Sequence, residues 1–67
     1  MIKIDRRWVH GAHSNPVKLQ ALKRLVAVGR ALDCVLMAEG IETELDLETV
    51  IACGIAYGQG FLWGRPA

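Results

Sequence analysis

The sequence has no apolar run approaching the roughly 20 residues a membrane-spanning helix needs, no Cys-x-x-Cys pair and no marked excess of either charge. The first absence leaves no membrane segment to expect, and Met1 to Arg7 lacks the apolar stretch of a secretory signal. The second leaves Cys34 and Cys53, each in an otherwise apolar run, to read as buried free thiols rather than a disulfide or a metal pair. Reduced thiols favour a cytoplasmic location. The third absence, a net charge of only +1 with 52% hydrophobic residues, excludes a disordered tail and a basic arm for nucleic acid, so DNA is not an expected partner. The expectation is therefore at most one small, soluble globular domain within these 67 residues, with no second domain among them. A chain this short buries only about 60% of its unfolded surface, so its stability is expected to be marginal.

Along the chain, Ile2 and Ile4 alternate with Lys3 and Asp5, the pattern of a strand with one apolar face. A strand that opens at the first residue predicts further sequence upstream. Arg6 to Asn15, with Gly11 and two histidines, reads as a loop. Asn15-Pro16 is a helix start, and Leu19, Leu22, Leu25, Val26 and Gly29 recur at helical spacing to about Leu32. Cys34 to Ala38 is a short apolar strand of the kind covered on both faces of a parallel sheet, ended by Glu39-Gly40. Thr43 caps a second helix with Leu47, Val50 and Ile51 as its buried stripe; Gly54 stops it, and Ile55-Ala56-Tyr57 begins a third strand before a Gly58-Gln59-Gly60 turn. The predicted fold class is α/β: a βαβαβ unit of three parallel strands and two helices. Two helices cover one sheet face only, so the face bearing Lys3 requires another cover.

Lys3, Glu39 and Gln59 stand in or just beyond the three strands, and the carboxyl ends of parallel strands are where α/β folds bind ligands and react. Singly, these residues also read as an edge lysine, a cap carboxylate and a turn glutamine. Their surroundings are more specific. Lys3-Ile4-Asp5-Arg6, then Ala38-Glu39-Gly40-Ile41-Glu42-Thr43, then Gly58-Gln59-Gly60-Phe61 with Gly64-Arg65-Pro66, resemble in order the last motifs of the EAL domain, the cyclic-di-GMP phosphodiesterase family. The resemblance spans the chain. It implies strands six to eight of a TIM-like (β/α)8 barrel that hydrolyses cyclic-di-GMP to pGpG with Mg2+ or Mn2+, making residues 1–67 the C-terminal part of such a domain.

By the same resemblance, Lys3 is a catalytic-site lysine whose ammonium offsets charge developing on the phosphate. Glu39 is an active-site glutamate that positions metal-bound water or takes its proton, its contact with metal running through that water. Gln59 hydrogen-bonds beside the metals, Glu42 positions the neighbouring loop, and Asp5 is structural. The Glu-Ala-Leu signature, the family's metal-binding asparagine, its second glutamate and its Asp-Asp pair are absent from these residues. Two-metal hydrolysis needs several carboxylates to hold cations about 4 Å apart, so the expectation is a C-terminal fragment that is inactive alone and binds no cation by itself. The alternative is a non-catalytic module that binds a cyclic dinucleotide or a protein. The expected partners are cyclic-di-GMP, the remainder of the barrel or a protein covering the open face, and a further copy of the chain through self-association.

Other features read more plainly. His10 and His13 have a ligand-pair spacing without a third ligand, and are expected to be solvent-exposed. Gly58-x-Gly60-x-x-x-Gly64 has the wrong last gap for a dinucleotide loop. Trp8 and Trp63 are packing residues before they are base-stacking ones, Arg65 is structural or solvent-facing, and Asp33 stands where a helix-ending glycine is usual, at a modest local cost.

Overall fold

Three short strands, Ile2–Ile4 (β1), Leu36–Ile41 (β2) and Tyr57–Gly60 (β3), make a parallel sheet in the order β1-β2-β3 in a computed structural model that describes residues 1–60. Ile2 lies opposite Leu36 and Ile4 opposite Ala38; Met37 lies opposite Tyr57 and Glu39 opposite Gln59. The helices are Arg6–Val9 (α1), Pro16–Ala31 (α2) and Glu44–Ala52 (α3), with a 3-10 turn at Ala12–Ser14. Three α-helices therefore replace the two expected.

The added helix corrects the reading of Arg6 to Asn15 as loop. The Asp5 carboxylate accepts a hydrogen bond from the Arg7 N–H and starts α1, while burial of Val9 and Ala12 holds the segment down. Four residues are too few for periodicity to register. α2 follows expectation: the Asn15 side chain accepts from the Lys18 N–H, Pro16 occupies the first turn, and Leu22, Val26 and Gly29 are buried. A Cβ on Gly29 would lie 2.6 Å from a Leu36 methyl, so the absent side chain lets α2 settle onto β2. Asp33 takes a left-handed φ of 56°, in keeping with the glycine-like position it occupies.

β2 begins two residues later than predicted and runs through Glu39 and Gly40 to Ile41. Pairing on both sides outweighs their poor strand propensity. Only Leu36, Ala38 and Ile41 are buried, with Met37 half-buried and Val35 exposed, so this segment is covered on one face and not on both. In α3, Val50 is buried as expected and Leu47 partly so, but Ile51 is 60% exposed; Asp46 takes the inward position. Gly54, with φ 84°, ends the helix, and Gly58-Gln59-Gly60 belongs to β3 rather than to a turn. The core is one cluster of Ile4, Val9, Ala12, Leu22, Val26, Leu36, Ala38, Ile41, Val50 and Ile55 between the sheet and the helices.

Candidate functional site

Strand pleating decides which polar residues meet. Successive side chains on a strand point to opposite faces, and Ile4, Leu36 and Ala38 go to the helix-covered core. Lys3, Met37 and Glu39 therefore occupy the other face, where Lys3 is exposed and Met37 and Glu39 are half-buried. Lys3 is in register with Met37, and Glu39 lies one row nearer the carboxyl edge. Ordinary strand spacings put the Lys3 and Glu39 Cα atoms roughly 8 Å apart, within reach of a lysine side chain extended over the sheet. Gln59 is in backbone register with Glu39; its side chain, like Trp63, Arg65 and the Gly64-Arg65-Pro66 part of the third motif, lies outside the described residues.

Gly40 interrupts the alternation. Its φ of 73° accompanies a register irregularity between Glu39 and Ile41, and the space a Cβ would need is filled by the Cβ and Cγ of Arg6. This close approach seats α1 over the end of β2 and brings the Arg6 guanidinium 2.7 Å from Glu42 Oε1. Both partners are substantially exposed, so the pair fixes geometry more than it adds stability.

Beside it lies a polar cluster that sequence reasoning did not find. Asp46 is wholly buried, and its carboxylate accepts hydrogen bonds from His10 Nδ1 at 2.8 Å, the Gly11 N–H at 3.0 Å and, more weakly, the Glu42 N–H at 3.4 Å. Burial raises this carboxyl's proton affinity, but the Gly11, His10 and Glu42 donors outweigh it and hold the carboxyl below its ordinary range. His10 is thus tied to Asp46 on one side, with its ring 45% exposed, and not free in solvent as expected. A usable signal existed: Thr43-Glu44-Leu45-Asp46 has capping-box spacing, and the Thr43 hydroxyl oxygen accepts from the Asp46 N–H. Asp5 is held below the usual carboxylate range by the Arg7 N–H and then by the Arg7 side chain. Burial pushes the Cys53 thiol up, with nearby Lys23 opposing.

The donor set does not fit a two-cation cage. Among the described residues no three His, Cys, Asp or Glu side chains converge as ligands, and Glu39 is the one carboxylate in the described strands. No helix among them is long and apolar enough to cross a membrane.

A family model described as the EAL domain matches residues 1–66. The chain belongs to the EAL domain family. It is 35% identical over 65 residues to the cyclic di-GMP phosphodiesterase PdeR of Escherichia coli, and 37% identical over 65 residues to the bifunctional diguanylate cyclase/cyclic di-GMP phosphodiesterase MucR of Pseudomonas aeruginosa. Each alignment covers 97% of this chain and 10% of the relative, so the chain spans about a tenth of the length of these proteins. Among solved structures, the EAL domain of Mycobacterium smegmatis DcpA superposes with a TM-score of 0.87 at 39% identity, covering 96% of this chain and 29% of that one. The phosphodiesterase of PaMucR in complex with c-di-GMP superposes with a TM-score of 0.84 at 38% identity, covering 96% and 26%. The three parallel strands and their helices are thus an EAL-domain substructure.

Proposed function

We propose that residues 1–67 are the C-terminal portion of an EAL-type cyclic-di-GMP phosphodiesterase domain, supplying strands six to eight of its barrel, and that they do not hydrolyse the nucleotide alone. The observation that carries this reading is that Lys3 and Glu39 share one face of a parallel sheet, a row apart, in a chain whose relatives include cyclic di-GMP phosphodiesterases about ten times its length. In this reading Lys3 offsets charge developing on the scissile phosphate, Glu39 orients or deprotonates the attacking water, and Gln59 hydrogen-bonds beside it. Glu42 holds the adjoining loop, a role its ion pair with Arg6 supports. The Mg2+ or Mn2+ of the family's reaction would be held by carboxylates outside these residues, with Glu39 contributing at most through water. The remaining strands also cover the Lys3 face. Two free thiols, Cys34 and Cys53, support a cytoplasmic setting.

The test is a hydrolysis assay on the purified chain with Mg2+ or Mn2+. No pGpG above the buffer control is the expected outcome; robust, metal-dependent conversion overturns the claim of inactivity. A second reading, a non-catalytic module that binds a protein or a cyclic dinucleotide, is favoured by an apolar groove of about 750 Å³ between Trp8, Val17, Ala21, Leu25 and Val28. Saturable cyclic-di-GMP binding by the chain without turnover would favour that module over the catalytic fragment.

A further inference from the structure

We propose that Asp46 is a positioning residue that latches together the two connections at the carboxyl edge of the sheet and holds His10 in its Nδ1–H form. His10 and Gly11 belong to the connection that follows β1, Glu42 to the one that follows β2, and Asp46 to the first turn of α3. N–H groups from both connections converge on one wholly buried carboxylate. A buried carboxylate without donors is costly, and here no lysine or arginine pairs with it among the described residues. The Arg6 guanidinium goes to Glu42, and the Lys18 ammonium donates to the His10 carbonyl at 2.7 Å. The donors that retain Asp46 inside are therefore the His10 ring and two backbone amides.

The geometry fixes the tautomer. An ionised carboxylate only accepts, so the His10 Nδ1 at 2.8 Å from Asp46 Oδ2 carries a proton, and Nε2 is left as the other valence of a half-exposed ring. Neutral imidazole in this form and imidazolium both donate from Nδ1, so the latch survives the titration of His10. Glu42 Oε2 lies 3.8 Å from Nδ1, and Arg6 and Lys18 are the other charged groups about the ring. Protonation of Asp46 itself is what releases the latch. Because the Glu42 N–H and the Arg6–Glu42 pair hang on this cluster, Asp46 sets the position of the carboxylate assigned above to the loop. In that respect the inference rests on the phosphodiesterase reading, but its test reads no turnover, and an inactive chain leaves it standing.

The experiment is NMR on the full 67-residue chain with labelled histidine, titrated between about pH 8 and about pH 5 across the ordinary histidine range, with exposed His13 as the internal control. The expected result is an Nδ1–H tautomer for His10 at the alkaline end and an unchanged Gly11 amide bond across the titration. Asp46→Asn, which preserves volume, is expected to speed Gly11 amide exchange by about tenfold or more. His10→Ala, which keeps the carboxylate charged, is expected to speed it by a smaller factor. An Nε2–H tautomer for His10 in the unaltered chain, or Gly11 exchange that neither variant changes, overturns the proposal.

Discussion

At Gly40 a single backbone conformation joins the sheet to the loop that carries Glu42. Replacing it with alanine places a Cβ against the Arg6 stem at a positive φ, and Gly40→Ala is expected to destabilise the chain by about 2 kcal/mol. A urea titration followed by circular dichroism checks this. Asp46 gives a prediction with a pH sign. Its carboxyl is depressed in the folded state, so its contribution is present above the ordinary value of 3.8 and is lost as pH falls through the folded value. Asp46→Asn is expected to be less stable than the parent by about 2 kcal/mol near neutrality, with the gap closing on acidification; a gap independent of pH contradicts the role given to the charge. Some of this was legible and some was not. Asn15, Thr43 and Asp33 act locally, through caps and a left-handed turn, and local patterns reveal such roles. The Thr43–Asp46 spacing marks Asp46 as a first-turn carboxylate, but its His10 and Gly11 donors lie 36 and 35 residues away, a separation no local pattern spans.

At the scale of elements, sequence period found α2 and placed α3 and its cap, but it misassigned which members of each stripe lie inside. Leu22 and Leu25 both belong to the predicted apolar stripe of α2, yet Leu22 is fully buried whereas Leu25 is 39% exposed beside Trp8. Leu22→Ala is therefore expected to cost about 2–5 kcal/mol and Leu25→Ala less than about 1 kcal/mol, measured by thermal or urea unfolding. Equal costs would mean that a partner covers the Leu25 side in solution. The ends of β2 were misread for a related reason: Glu39 and Gly40 are poor strand residues in isolation, and their place in β2 comes from pairing with neighbours on either side. The helix α1 was missed because it is shorter than the window in which a period can be seen.

For the molecule as a whole, the succession of strands and helices and the parallel direction were legible from their alternation, and the family from three motifs in a fixed order along the chain. What the residues could not specify is the partner for their open surfaces. Lys3, Met37 and Glu39 on the sheet, and Trp8 of α1 with Val17 and Val28 of α2, are surfaces left open among the described residues. The central claim, that Lys3 and Glu39 belong to a reactive rim completed by other strands, is tested most directly in a chimera. The aligned 65-residue segment of MucR, 37% identical to this chain, is replaced by this chain, and cyclic-di-GMP hydrolysis is measured with Mg2+ or Mn2+. The account predicts metal-dependent turnover in the chimera and losses of about 100-fold or more in kcat for Lys3→Met and for Glu39→Gln, with the folded state intact. A folded, active chimera whose turnover neither substitution lowers would contradict it.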